Sequence, residues 1–167
     1  VCMNDATIKS VIIKGEGRAF CAGGDIFAMK KAVDENDSET LVRMVISAGD
    51  VARRIRHLRK PVIAAVHGSA AGGGCSLALL CDFRVVAEDV RFIESFVDIG
   101  LIPDVCGVYV LSRYMGLGRL TDYLMTGRPF TAQEAFEMGL VNVVTTRDNL
   151  DTMALALARN LMSKPFQ

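Results

Sequence analysis

The sequence carries no net charge, because 19 Lys and Arg are matched by 19 Asp and Glu. That balance argues against a whole-molecule attraction to nucleic acid or to an anionic membrane. Proline is scarce, with 4 in 167 residues against 15 glycines, and charged residues make up an ordinary 23%. Collagen-like, disordered and coiled-coil chains are excluded on that composition. No C-x-x-C pair exists: the five cysteines (Cys2, Cys21, Cys75, Cys81, Cys106) are scattered and odd in number. They suit a reducing compartment better than a disulfide framework or a zinc site. Val1 to Ser10 lacks the basic-then-apolar layout of a signal peptide, so the cytoplasm is the expected location. Pro61 to Cys81 holds no formal charge, yet His67, Ser69, Ser76 and Gly68, Gly72, Gly73 and Gly74 interrupt it. A membrane span needs ~20 mostly apolar residues. The stretch reads instead as a buried strand and a buried helix joined by a glycine turn.

What is present is the patterning of one α/β domain, with roughly 70% of the unfolded-chain surface buried at this length. Val11-Ile12-Ile13 within Ile8 to Lys14 reads as a buried strand ending at Gly15-x-Gly17. Asp25 is placed to cap a short helix, and residues 33–37 read as a loop. Apolar residues recur at helical spacing from Ser38 to Arg59, and Lys60-Pro61 stops that helix. Val62 to Val66 is a fully buried strand, and Gly72-Gly73-Gly74 opens an apolar helix running through Cys81. Phe83 to Ala87 and Arg91 to Ile93 read as strands. Helices are expected from Pro103 to about Met115 and from Leu117 to Thr126. Thr131-x-x-Glu134 is a capping box, with Gly139 closing its helix. A strand at Leu140 to Val144 and a helix at Leu150 to Met162 follow. Strands alternate with helices and are too apolar for one-sided sheets, which argues a layered fold with mostly parallel strands.

Two glycine turns carry the chemical signal. In Val62 to Cys75 a buried strand delivers the chain to three glycines that start a buried helix. Glycines there leave backbone N–H groups unshielded, and the helix dipole adds partial positive charge. The spot suits an oxygen on which negative charge develops; small residues also let a helix pack closely on a sheet. Arg18-Ala19-Phe20-Cys21-Ala22-Gly23-Gly24-Asp25 is a second such turn leading into a helix. Two of them, each after a buried strand, suggest a pair of N–H donors converging on one oxygen.

At these residues the chain resembles the enoyl-CoA hydratase/isomerase (crotonase) superfamily. The resemblance rests on Gly17 to Ile26 and on Lys60-Pro61 through the triple glycine to Cys81-Asp82-Phe83. Gly100-Leu101-Ile102-Pro103 and Thr131-Ala132-x-Glu134-Ala135-x5-Gly139-Leu140-Val141 extend it over nearly the whole chain. It implies a ClpP/crotonase-type spiral of β-β-α turns and an acyl-CoA substrate, with coenzyme A part of the substrate and no separate cofactor or metal. It also implies a homotrimer or hexamer, with neither nucleic acid nor membrane as partner. Residues 1–167 are expected to form a single core domain, without the family's usual first strand and helix or its C-terminal trimerisation helices. By position the two oxyanion-hole amides fall on Gly24 and Gly73, with Ala22 and Gly23 in the same substrate-binding turn. Arg18 stands where a basic residue often lies near the CoA phosphates. Phe27 stands where a lysine is usual.

The acid–base groups depart from the family pattern. Hydratases carry a glutamate two residues after the triple glycine and another on the strand before Gly100; here Ser76 and Phe96 occupy those positions. Adding water needs a carboxylate to orient and deprotonate it, and usually a second group to protonate carbon. Asp104, in Ile102-Pro103-Asp104-Val105, matches an aspartate that moves protons in dienoyl-CoA isomerases and is the nucleophile in chlorobenzoyl-CoA dehalogenases. An acidic residue in a helix's first turn is also favoured by the dipole alone. Glu94 and Asp98 flank the Phe96 position and reach the site only if the local register differs. The expected reaction is therefore double-bond isomerisation or hydratase/isomerase-type chemistry with Asp104 as acid/base. Hydrolase, decarboxylase or C–C hydrolase activity, and a non-catalytic acyl-CoA-binding or scaffold subunit, are the alternatives. The remaining polar features read as structural: Arg53 to Lys60 as a solvated helix end, His67 as a hydrogen-bonded core histidine, Asp82 as a buried strand-start residue.

Overall fold

The computed structural model describes residues 2–103 and 105–165. The chain builds two sheets by alternating between them. Strands β1 (Val11–Lys14), β2 (Val62–Val66), β4 (Phe83–Ala87) and β7 (Val143–Thr145) form a parallel sheet in the order β1-β2-β4-β7. Strands β3 (Ser69–Ala71), β5 (Arg91–Ile93) and β6 (Phe130–Thr131) form the other, with β3 and β5 parallel and β6 antiparallel to β5. Cys21 joins that second sheet through a parallel bridge to Ala70. Each turn thus gives one segment to each sheet, β1 and then Cys21, β2 and then β3, β4 and then β5, which is the β-β-α spiral. No repeat is legible in the sequence because each turn repeats a path and not a set of side chains.

Helices follow the turns: α1 (Ile26–Asp34), α2 (Ser38–Arg56), α3 (Gly73–Leu80), α4 (Gly107–Leu111), α5 (Leu117–Thr126), α6 (Ala132–Glu137) and α7 (Leu150–Met162). The uninterrupted apolar run of β2 is explained by burial on both faces. Val62, Ala64 and Val66 pack into the main core, whereas Ile63 and Ala65 meet Leu150, Ala154 and Ala158 of α7. Successive strand side chains point to opposite faces, so both sets must be apolar. The main core continues into an aromatic stack in which the Phe130 ring lies 5.1 Å from Phe92 and 4.9 Å from Tyr123.

Several boundaries differ from expectation. Helix α1 extends through residues read as loop, to Asp34. Ser69 to Ala71, read as part of a glycine turn, is a strand because its backbone finds partners in β5. The helix expected from Pro103 begins only at Gly107, after Val105 (φ 48°) and Cys106 (φ 67°) take left-handed conformations. Asp82 is exposed rather than buried, although it accepts from the Val62 N–H at 2.9 Å as a strand-start carboxylate should. His67 is buried as expected, with Nε2 3.1 Å from the Gly17 carbonyl. The capping box of Thr131 and Glu134 is formed in both directions.

Candidate active site

The two glycine turns meet at the start of α3. The bridge from Cys21 to Ala70 and the bond from Ala71 N–H to the Cys21 carbonyl (2.9 Å) tie the first turn beside the second. Gly23 sits at φ 93°, and a methyl group built on it would lie 2.7 Å from the Ala71 carbonyl oxygen and 3.1 Å from the Gly73 nitrogen. From the other side, a methyl on Gly73 would lie 3.8 Å from Gly23 Cα and 4.0 Å from the Gly24 nitrogen. The contact at Gly23 is closer than a side chain allows and its φ favours glycine, whereas a methyl on Gly73 would make ordinary van der Waals contact.

Capping explains why these two amides are spare. In α1 the Asp25 carboxylate accepts from Phe27 and Ala28, satisfying the helix's own first-turn donors and leaving the preceding Gly24 N–H outside the cap. In α3 the capping residue is Gly72 (φ 50°), which has no side chain to accept anything. Gly72 itself donates to the Ile93 carbonyl at 2.8 Å, and Gly73 follows as the first helical residue. Among the described residues neither the Gly24 nor the Gly73 N–H has a protein acceptor. Gly24 is exposed and Gly73 half-buried. Two such donors, one at a helix N-terminus, suit an oxygen gathering negative charge.

The other sequence-predicted residues divide by depth. Ala22, Arg18 and Phe27 are exposed, Phe27 at 82%. Phe96 is buried, with its ring edge 3.9 Å from the point where a Gly72 side chain would begin. Ser76 is fully buried one turn along α3 from Gly73, on the same helix face. Asp104 lies outside the described residues. Asp98 is exposed and faces Gly127 at the end of α5, where a methyl group would come within 3.3 Å of its carboxylate.

Sequence reasoning gave Glu94 no preference over Asp98, and the structure separates them. Glu94 is 1% exposed, beside the first turn of α3. A methyl group on Gly107 of α4 would lie 2.6 Å from Ser76 Oγ and 3.4 and 3.6 Å from the two Glu94 carboxylate oxygens. The Cys75 thiol is held well above its ordinary range by burial first and by the neighbouring Glu94 carboxylate second. The signal was available: Phe92, Glu94 and Phe96 are spaced two apart, and Phe92 and Phe96 are both buried. Arg84, a second buried charge, donates instead to the carbonyls of Leu79, Cys81 and Leu140. Burial lowers its pKa from the usual arginine value. It fastens the end of α3 to the segment before β7.

The enoyl-CoA hydratase/isomerase family description matches residues 1–167. The chain belongs to that family. It is 34% identical over 151 residues to the trans-2-decenoyl-[acyl-carrier-protein] isomerase of Streptococcus mutans, covering 90% of this chain and 57% of that protein. It is 37% identical over 168 residues to a probable enoyl-CoA hydratase of Bacillus subtilis, covering 99% of this chain and 64% of that one. The chain thus spans about three fifths of the length of such relatives. The crystal structure of an enoyl-CoA hydratase from Polaromonas sp. JS666 superimposes with a TM-score of 0.93 at 37% identity, over 98% of this chain and 63% of that one. The family includes proteins named for hydration and for isomerisation, and the fold is the crotonase fold that the family resemblance implied.

Proposed function

We propose that the chain is the core of an enzyme that moves a double bond in an acyl-CoA thioester through an enolate held by two backbone amides. The observation that carries this reading is the pair of N–H groups at Gly24 and Gly73, brought together by two glycine turns and spared by the caps around them. When a proton leaves the carbon next to the thioester carbonyl, negative charge moves to the carbonyl oxygen. Donors already aimed at that oxygen stabilise the transition state; losing one costs about 3 to 4 kcal/mol. Asp104 serves as acid/base: it takes the proton from one carbon and returns it to another, which needs only one carboxylate. Ser76 and Phe96, at the positions of the hydratases' two glutamates, favour isomerisation over ordinary hydration. Arg18, Ala22, Gly23, Phe27, Ser76 and Phe96 line or flank the substrate. The full protein assembles as a homotrimer or hexamer.

The test is solvent-deuterium exchange into the acyl chain of a panel of enoyl-CoA esters, followed by product analysis. Wild-type protein is expected to exchange and isomerise, and Asp104→Asn to lose about 100-fold or more of the rate. Tight binding without exchange in either protein would support instead a non-catalytic acyl-CoA-binding subunit.

A further inference from the structure

Ser76 and Glu94, both buried and both beside Gly107, have a place in that chemistry. Strand β5 pairs with β3 up to Ile93 opposite Ala71, so Glu94 emerges beside Gly72, just under the first turn of α3. Its carboxylate and the Ser76 hydroxyl both crowd the point where Gly107 has no side chain. Any larger residue at Gly107 would press on both groups, and α4 reaches Gly107 through two consecutive left-handed residues, Val105 and Cys106. Backbone held in that region by non-glycine residues is costly, and such outliers cluster at functional sites. Hydroxyl plus carboxylate together supply, one turn from Gly73, the functional group that a glutamate at position 76 would carry alone.

We infer that Glu94, acting through the Ser76 hydroxyl, is a second proton-handling group of this site and the positioning residue for Ser76. The inference rests on the enolate reading above and deepens it. Ser76 Oγ takes the proton from one carbon of the acyl chain as its own proton passes to the Glu94 carboxylate. The carboxylate becomes a carboxyl, the C–H electron pair becomes the enolate, and its charge rests on the oxygen between Gly24 and Gly73. Return of the proton runs along the same path in reverse. Among the described residues, α3 brings the Cys75 thiol and Ser76 towards Glu94, and α4 brings Gly107. The thiol stays protonated at neutral pH, so it does not compete as a base.

The experiment is a double-mutant cycle on exchange and isomerisation, using Glu94→Gln, Ser76→Ala and the double variant, with kcat, KM and the pH profile recorded for each. Each single variant is expected to lose about 100-fold in kcat, with KM little changed. The double variant should be no worse than either single one, because the two act as a unit. Glu94→Gln should also lose one limb of the pH profile, and Glu94→Asp should recover part of the rate. Wild-type kinetics and an unaltered pH profile in folded Glu94→Gln or Ser76→Ala protein would overturn this role and leave the enolate reading standing. Losses in the two single variants that add in the double one would overturn the coupling. Absence of exchange in wild-type protein would overturn both readings.

Discussion

Burial pushes the Cys81 thiol from an ordinary 9.0 up to about 12, and it pushes Cys75 in the same direction. The sign of the consequence follows from linkage. Below about pH 9 both folded and unfolded chains keep the thiols protonated, and the contribution to stability is fully present. Above it the unfolded chain ionises while the native one does not, so stability is lost between about pH 9 and pH 12. For Cys81 the full interval corresponds to at most about 4 kcal/mol. Urea midpoints are therefore expected to fall between about pH 8 and pH 10.5, and to fall less in Cys81→Ala. An equal decline in both proteins would show that the thiol is not the cause. Arg84 shows at the same scale what a sequence hides. It sits in a strand-like run, Phe83 to Ala87, and is only 3% exposed. Its meaning depends on carbonyls at Leu79, Cys81 and Leu140, which folding alone brings together.

Helix α3 was the most legible element and is the one on which the site depends. Its start at a triple glycine and its apolar length were both readable, because glycine at an N-terminus and a charge-free run each have a direct physical reading. What was not readable is why Gly74 must be glycine. A methyl group there would lie 2.3 Å from the Cys21 carbonyl oxygen, so α3 can lie against the first glycine turn only without it. Gly74→Ala is expected to cost about 1 to 3 kcal/mol and to reduce exchange as well, because the Gly73 and Gly24 amides would be pushed apart. Thermal unfolding together with the exchange rate measures this; a variant of normal stability and normal rate would show that the contact yields freely. Strand β3 was missed for the opposite reason. Three residues of small side chain carry no period, and their strand character comes from pairing with β5. The late start of α4 was missed because Pro103 is an ordinary helix opener, and the left-handed turn at Val105 and Cys106 has no glycine to announce it.

At the scale of the whole molecule, the alternation of the chain between two sheets is what brings distant segments to one place. Cys21, Ala70 and Phe92 belong to three successive turns of the spiral, yet a bridge and one strand pairing set them side by side. The glycine turns that follow Cys21 and Ala71 are neighbours for that reason, and Glu94 enters from the third. Sequence patterning showed the turns; which of Glu94 and Asp98 is buried was settled by the chain leaving β5 beside Gly72 and then turning outward at Val97–Ile99. The convergence of the two amides can be observed in solution by 15N–1H NMR of the whole chain, titrated with a β-ketoacyl-CoA whose enolate carries its charge on the thioester oxygen. Both the Gly24 and Gly73 amide protons are expected to move downfield together, with one common saturation curve. A saturating complex in which either amide keeps its free position would mean that the two nitrogens do not share one oxygen.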